Sequence, residues 1–381
     1  MIEIVKINLE DYGIFHCLTK DGIILREVNE FLIELSKNGG RKGNKLASKS
    51  QKQYSYVMKR LFDYFEKNLL KWNKIEKNHI HDFIKELDLN TNTSRKRINY
   101  LTNIWVQFYS WCQQNEITTN LRINFFKNYV PYNQNDELLA HTRVGKRKVI
   151  TSEFTFNIPQ KNEIRYLSIK TVKSLFQELK EIDVVFYCIA YFMVTSGLRI
   201  NGALQLKENT FPHYLEIQHL EWLSYEYIPK GNFDSKQTKF LTYPLNGWKH
   251  ISKTYMLLHN RRAEKYFDIT KKWTESFFVK NNGKPVLEHD VWYRFRQVSR
   301  KLKMKITPHM LRHTYAVLFV LQYSKKKGIE PTSKTFFWDV HKQLQRNLGH
   351  VSISTTMYYC EAAYHYTSTV ILDDLALDIA L

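Results

Sequence analysis

The spacing of apolar and polar positions predicts strand character at the start of the chain. Within residues 1–24, Ile2, Ile4 and Ile7 alternate with polar residues, and Asp21-Gly22 is a turn sequence. A period of two is typical of a half-buried β-strand. We therefore expect residues 1–24 to form a short hairpin, or arm.

Helical periodicity replaces this alternation after residue 24. A first amphipathic helix is expected from Glu27 to Leu35, and Ser94 is suited to cap the start of a later one. Apolar residues that share a helical face are Tyr54, Val57, Met58, Leu61, Phe62 and Phe65, then Ile80, Phe83, Ile84 and Leu87, then Ile98, Leu101, Trp105, Phe108 and Cys112. Residues 25–130 are therefore expected to form a small helical domain. Its exposed lysines are either simply solvated or contact a nucleic-acid backbone.

The pattern weakens between residues 131 and 164, where prolines, asparagines and a run of basic residues predict an interdomain linker. A second domain is expected over residues 165–360. It is mostly helical, with paired strands at Trp222–Ile228 and Thr238–Leu245. The predicted class is mainly α with a small antiparallel β-sheet, or α+β, and a length of 381 residues agrees with more than one domain.

Charge points to a polyanionic partner. The formal net charge is +20, and nucleic acid is the first candidate at that value. A lysine-rich proteome is the alternative explanation, but the charge is unevenly placed: residues 362–381 carry no lysine or arginine. The candidate DNA contacts are Arg41, Lys42, Lys45, Lys49, Lys52, Arg95, Arg97, Arg143, Lys146 and Arg147.

Cysteine and apolar patterns exclude several classes of protein. Cys17, Cys112, Cys188 and Cys360 stand far apart, without the spacing of a zinc site or a disulfide framework. The longest apolar run, Val184 to Val194, is too short to span a bilayer. No nucleotide-binding loop and no cluster of acidic residues and histidines for two metals is present. We expect an intracellular protein, cytoplasmic and nucleoid-associated, without metal, cofactor or membrane.

Three short motifs carry candidate chemistry. Arg199 follows a glycine turn after a buried helix, and Thr307-Pro308 should start a helix that presents His309 and Arg312 on its first turn. The third motif places Tyr359 nine residues after His350. Cations, imidazoles and one phenol suit the stabilisation of a phosphate under attack. Taken singly, each motif has a structural alternative: a solvated arginine, a capped helix that faces solvent, or a core tyrosine.

In order and spacing these motifs resemble the tyrosine recombinase, or phage integrase, family. The matching boxes are Gly197-Leu198-Arg199, the 230–245 hairpin, His309-Met310-Leu311-Arg312-His313, Leu348-Gly349-His350, and Tyr359 at the ninth place after His350. The resemblance implies a helical core-binding domain, of SAM-like type, and a mixed α/β catalytic domain that form a C-shaped DNA clamp. It covers nearly the whole chain and is weak before about residue 25.

The resemblance also implies the role of each residue. Tyr359 would attack the scissile phosphate and form a 3′-phosphotyrosine bond, while Arg199 and Arg312 would hold the non-bridging oxygens. His309 would accept and donate protons, and His350 would hydrogen-bond the phosphate. His313 would orient the site rather than transfer protons. Tyr358 is the rival nucleophile, and the family spacing selects Tyr359.

A lysine would protonate the leaving 5′-oxygen. Counting back from Pro244 favours Lys236, whereas Lys230-Gly231-Asn232 matches a turn that is common in relatives. Two departures from the family pattern are visible. Gly202 stands where an acid is usual, and a surface insertion around residues 324–331, which could touch DNA, lengthens the chain before His350.

The expected activity is site-specific DNA cleavage and rejoining through a Holliday junction, for integration or excision of a mobile element. Expected partners are double-stranded DNA, three further copies of the chain on two duplexes, and an accessory DNA-bending protein or directionality factor; the free protein is expected to be a monomer. Residues 361–381 would either be exchanged between protomers or pack on their own domain. The alternatives are relaxation of the type IB topoisomerase kind and a non-catalytic DNA-binding protein on a decayed recombinase scaffold.

Overall fold

The computed structural model describes residues 1–10, 13–38, 48–90, 93–131, 146–156, 165–229, 237–329, 334–348 and 358–366. Within these residues the fold is mainly helical with small antiparallel sheets, as the sequence predicts. The chain divides into two compact units. The first comprises Met1–Tyr132 with Gly145–Lys161, and the second comprises Asn133–Val144 with Asn162–Leu381.

In its described residues the first unit combines four helices with two small sheets. Its elements are β1 (Ile2–Leu9), β2 (Gly13–Lys20), β3 (Ile23–Ile24), α1 (Arg26–Asn38), α2 (Ser48–Lys67), α3 (Lys77–Asn90), α4 (Arg95–Gln114), β4 (Phe125–Pro131) and β5 (Lys146–Ser152). The Ser94 cap is confirmed, since its side chain accepts a hydrogen bond from the backbone N–H of Arg97. One apolar core joins the helices to the first sheet.

The N-terminal segment is a three-stranded antiparallel sheet rather than a hairpin alone. Asp21 and Gly22 form the second turn, and both adopt positive φ, as a tight hairpin turn requires. Phe15 and Leu18 are buried in the same core as the helices. The sheet is therefore packed on the helices of this unit, because β2 carries apolar side chains that are buried in the common core.

A second sheet lies where the linker was expected. β4 and β5 pair antiparallel from Phe125↔Ser152 to Pro131↔Lys146. The β-branched run Val149-Ile150-Thr151 favours the extended backbone, although basic residues precede it. Residues 152–156 follow into the first unit, where Phe154 is buried in the core. Residues 132–145 and 157–164 lie outside the described residues.

The second unit is a helical assembly around one hairpin. Its elements are α5 (Ile169–Ile182), α6 (Val184–Ser196), α7 (Ile200–Ala203), β6 (Trp222–Tyr227), β7 (Lys239–Pro244), α8 (Leu245–Thr270), α9 (Glu288–Lys301), α10 (Pro308–Lys327), α11 (Lys334–Leu348) and a helix at residues 358–366, here α12. The predicted strand pair is confirmed, with β6 and β7 antiparallel from Trp222↔Pro244 to Tyr227↔Lys239.

Helix α10 connects two apolar clusters of the second unit. Leu311 belongs to the larger cluster, which surrounds α6 and the hairpin. Ala316, Val317 and Val320, further along α10, belong to a smaller cluster with residues of α11 and α12. The larger cluster therefore fixes the start of α10, and the smaller cluster fixes the part that follows.

The expected surface insertion begins as a helix end. Ser324 to Lys327 form the last turn of α10, and Gly328 closes it in the left-handed conformation. Three lysines in that turn suit the negative end of the helix dipole. Pro331 lies outside the described residues.

Two further properties concern only the described part of the chain. None of its helices is long and apolar enough to cross a membrane. None of its groups of three or more His, Cys, Asp or Glu side chains is placed to hold a metal ion.

Candidate active site

The end of α6 brings Arg199 to the site. Gly197 caps the helix at φ +71°, and a Cβ at this position would lie 2.6 Å from Cδ1 of Tyr315. Glycine is needed both for the left-handed backbone and for this close contact. The turn buries Leu198 and leaves Arg199 exposed at the start of α7.

Arg312 lies at the centre of the site. Its side chain is only 2% exposed. Its Nη1 donates to the carbonyl oxygen of Gly197 at 2.8 Å, and its Nη2 donates to that of Leu348 at 2.6 Å. One guanidinium therefore joins the ends of α6 and α11. These two bonds leave further N–H groups on the planar fork for another acceptor.

The first turns of α10 hold two imidazoles. Thr307 is the N-cap and Pro308 the first residue, as predicted, although the Thr307 side chain makes no capping hydrogen bond. His309 is exposed, and its ring centroid lies 4.4 Å from that of His313, one turn later. Arg312 turns inward instead of sharing the exposed face of His309.

Tyr359 faces these imidazoles from α12. Its hydroxyl lies 2.8 Å from Nδ1 of His313, and the side chain is 1% exposed. Tyr359, Cys360 and Ala363 are buried against α10 and α11, which fixes the rotation of α12. Successive helical residues point about 100° apart, so Tyr358 has a different direction and is partly exposed.

Burial and positive charge shift the pKa values of the site. Burial, then the neighbouring Arg199, lowers the pKa of Arg312 to about 10. Burial, then His309, Arg312 and Arg199, lowers the pKa of His313 to about 4. Burial raises the pKa of Tyr359, although Arg312 and Arg199 oppose that effect. The site therefore holds a neutral imidazole and a neutral phenol beside two cations.

An open cleft of about 220 Å³ lies beside the imidazoles and is lined by Arg165, Lys305, Thr307, His309, Met310 and His313. Sequence reasoning did not single out Arg165 or Lys305. The available signal was only the basic density around each residue, because neither lies in a motif. Together they add two cations next to His309 and His313, which suits a bound phosphate.

The glycine at position 202 has a structural reason. A Cβ there would lie 3.1 Å from Cδ2 of Leu198 and 3.2 Å from Cδ2 of Tyr227. Tyr227 lies near both arginines, since Arg312 and Arg199 oppose the rise that burial causes in its pKa. An acidic side chain at position 202 would therefore require Leu198 and Tyr227 to shift, which gives a packing reason for glycine here.

The structure brings together Arg199, His309, Arg312, His313 and Tyr359. The backbone of Leu348, two residues before His350, is tied to Arg312. His350, Lys230 and Lys236 lie outside the described residues, as does the apolar stripe after residue 366.

Three of the candidate DNA contacts have described side chains, and all three are in the first unit. Lys52 and Arg97 are exposed, with Arg97 stacked 4.7 Å from the ring centroid of Tyr100. Arg95 is exposed and pairs with Asp88 at 3.4 Å. The other candidates, Arg41, Lys42, Lys45, Lys49, Arg143, Lys146 and Arg147, have side chains outside the described set.

Comparison with known families matches both units. Residues 165–321 match the phage integrase family, and residues 40–119 match the SAM-like N-terminal domain of phage integrases. Transposase A from transposon Tn554 of Staphylococcus aureus is 22% identical over 382 residues, covering 93% of this chain and 92% of the relative. Tyrosine recombinase XerC of Roseiflexus castenholzii is 29% identical over 115 residues, which cover 28% of this chain and 32% of the relative.

Solved structures with similar folds include two protein–DNA complexes. XerH site-specific recombinase bound to palindromic difH substrate has a TM-score of 0.53 at 14% identity, covering 91% of this chain and 88% of that chain. The Tn1549 transposon integrase in complex with circular intermediate DNA has a TM-score of 0.51 at 14% identity, covering 87% of this chain and 94% of that chain. At these identities the likeness establishes the fold.

Proposed function

Because the chain belongs to the phage integrase family of tyrosine recombinases, we propose that it cuts and rejoins DNA at specific sites to integrate or excise a mobile element. The full-length similarity to a transposon-encoded transposase supports a mobile element as the source of its sites. Tyr359 is the proposed nucleophile.

One observation carries this proposal. A buried phenol, hydrogen-bonded to an imidazole, lies beside a buried guanidinium, and among the described residues no carboxylate contributes to the pKa shift of that guanidinium. A desolvated cation without an acidic partner is costly, and a phosphate oxygen would relieve that cost. Arg312 and Arg199 are therefore suited to hold the non-bridging oxygens of a scissile phosphate.

The chemistry would proceed in two transfers. The Tyr359 oxygen attacks phosphorus, forms a 3′-phosphotyrosine bond and displaces the 5′-oxygen of the broken strand. A 5′-hydroxyl from a partner duplex then attacks that bond, and two such exchanges pass through a Holliday junction. The phosphotyrosine bond conserves the energy of the broken one, so the proposed reaction has no nucleotide requirement.

The remaining assignments complete the proposed site. Lys236 would donate the proton to the leaving oxygen, with Lys230 as the alternative. His309 would accept and donate protons at the phosphate, and His350 would hydrogen-bond it. Arg165 and Lys305 would contact the backbone beside it, because they line the cleft next to His309. Basic residues of the first unit, including Lys52 and Arg97, would hold the flanking duplex.

The proposed assembly is four copies on two duplexes, formed from free monomers. An accessory bending protein or a directionality factor would choose between integration and excision. Residues 361–366 are part of α12, and the segment that follows them, residues 367–381, would dock on a neighbouring copy or on its own unit. The protein would act on the nucleoid and would therefore be cytoplasmic.

A covalent-adduct assay tests the nucleophile. Nicked suicide duplexes, tiled across DNA that flanks the gene, are incubated with wild type, Tyr359→Phe and Tyr358→Phe and resolved on denaturing gels. We expect adduct from wild type and from Tyr358→Phe within a few-fold. Tyr359→Phe should bind the same duplex and give none, because its ring lacks the attacking oxygen.

The same proteins separate the alternatives. Adduct from Tyr359→Phe would reject that nucleophile. Relaxation of supercoiled DNA by a monomer without a preferred site would favour topoisomerase activity. Tight binding with no wild-type adduct on any duplex would favour a non-catalytic DNA-binding role.

A further inference from the structure

We propose that His313 takes the proton from the Tyr359 hydroxyl as that oxygen attacks the phosphate, and returns it when the strand is rejoined. This inference rests on the proposed function and assigns a proton acceptor to it. The alternative is the assignment that the family resemblance implies, in which His313 only positions the tyrosine and His309 accepts the proton.

The geometry supports a proton acceptor. Nδ1 of His313 lies 2.8 Å from the Tyr359 hydroxyl oxygen, within the range of direct proton transfer. With the ring proton on Nε2, Nδ1 accepts the phenolic hydrogen. The two residues are 46 positions apart, and their helices are packed together in one buried cluster, so the contact is held by tertiary structure.

The surrounding charges keep the acceptor neutral until it is needed. Among the described residues, the groups that face His313 are His309, Arg312 and Arg199, with Tyr359 at its Nδ1 and Arg165 and Lys305 in the adjoining cleft. All of these except the phenol oppose a positive imidazole. A bound phosphate reverses this field, since its negative charge grows during attack. The imidazole therefore becomes a stronger base when the scissile phosphate arrives.

Each proton that is released in cleavage or rejoining has a named acceptor. In cleavage, the Tyr359 O–H bond breaks, its proton passes to Nδ1, and the oxygen forms the O–P bond. The P–O5′ bond breaks, and the 5′-oxygen keeps the electron pair and takes a proton from the proposed lysine. In rejoining, the 5′-hydroxyl attacks phosphorus and loses its proton to that lysine, while imidazolium His313 returns its proton to the departing Tyr359 oxygen.

His313→Asn separates proton transfer from positioning. The Asn side-chain oxygen lies near the position of Nδ1 and can still accept the Tyr359 hydrogen bond, but it cannot take the proton. We expect normal DNA binding and a single-turnover adduct rate lower by about 100-fold or more. His289→Asn, an exposed histidine on α9, is the matched control and should keep the wild-type rate. A rate for His313→Asn within about threefold of wild type would reject proton transfer.

A sulfur-substituted duplex identifies which proton is involved. When sulfur replaces the bridging 5′-oxygen, the leaving group needs no proton. A variant that lacks the general acid should then cleave this duplex at close to the wild-type rate. The His313→Asn defect should persist on this duplex, whereas the Lys236→Ala defect should be relieved. Relief of the His313→Asn defect by sulfur would make His313 the acid for the leaving group and would overturn the inference.

A third measurement needs no DNA. Long-range ¹H–¹⁵N spectra of the full-length chain, labelled at its 14 histidines, should show His313 as a neutral Nε2–H ring near pH 7. The signal is assigned by its loss in His313→Asn, and its Nδ1 shift should change in Tyr359→Phe. An unchanged shift would exclude the hydrogen bond and the inference with it. Absence of wild-type adduct on every duplex would reject the proposed function itself, and the wild-type lane reports that result separately.

Discussion

At the scale of single residues, Arg312 shows how stability and chemistry share one side chain. Its buried guanidinium joins Gly197 and Leu348 through their carbonyl oxygens. These neutral acceptors satisfy hydrogen bonds, and no carboxylate of the described residues offsets the positive charge. In the proposed reaction a bound phosphate would offset the desolvation cost of this cation.

His313 should make stability depend on pH. Its folded pKa, about 4, lies below the ordinary value of 6.5, so the unfolded chain binds the proton more tightly. The contribution of His313 to the free energy of unfolding is fully present above pH 6.5 and is lost as pH falls toward 4. Because the ring is partly exposed, we expect a loss of about 1–2 kcal/mol between pH 7 and pH 5.

Urea unfolding of wild type and His313→Gln at these two pH values checks this expectation. The variant lacks the titrating ring, so its stability relative to wild type should improve at pH 5 by that amount. Other histidines contribute equally to both proteins. A stability difference that does not change with pH would show that burial of His313 does not depress its pKa.

At the scale of elements, the junction after α6 depends on a residue without a side chain. Gly197→Ala should cost roughly 3 kcal/mol or more in the free energy of unfolding, because the left-handed backbone and a contact with Tyr315 both oppose a Cβ. It should also lower the adduct yield, since the junction positions Arg199.

Gly328→Ala is the matched control. Gly328 caps α10 at φ +65°, and among the described residues no atom beyond its own chain neighbours and helix backbone lies within 4 Å of an added Cβ. Gly328→Ala should therefore lower the free energy of unfolding only by the cost of the left-handed backbone, about 1 kcal/mol. Thermal unfolding of the two variants compares these costs, and equal losses would show that the contact with Tyr315 is easily relieved.

At the scale of the whole molecule, a formal charge of +20 should make DNA binding depend strongly on salt. If about 6–10 phosphates are contacted, affinity should fall by about 10³ or more between 50 and 200 mM salt. Fluorescence anisotropy with a labelled duplex measures the slope of log affinity against log salt. A flat response would remove charge as the basis of binding.

Two lysine variants test whether a single phosphate contact contributes to this salt dependence. Lys52→Gln should reduce the slope by about 1, because one phosphate contact is lost. Lys301→Gln is the control, since the Lys301 ammonium is paired with Glu178 and Glu181. An equal effect of both variants would indicate a general field rather than a contact at Lys52.

Local sequence information was sufficient for several elements. The Ser94 cap, the hairpin of β6 and β7 and the start of α10 follow from residues within a few positions, because capping and strand pairing across a turn are short-range interactions. The same information was insufficient for β5, where basic residues hid a β-branched run, and for the packing of the N-terminal sheet.

The sequence by itself determined the candidate groups of the site, because the order and spacing of its motifs resemble those of the tyrosine recombinase family and select Arg199, His309, Arg312 and Tyr359 as a set. Only the tertiary structure decided how they meet. Packing of α10 against α12 turns Arg312 inward and places His313 beside the Tyr359 hydroxyl, 46 residues away. Helical periodicity relates residues three or four apart, but it carries no information about which faces of distant helices come together.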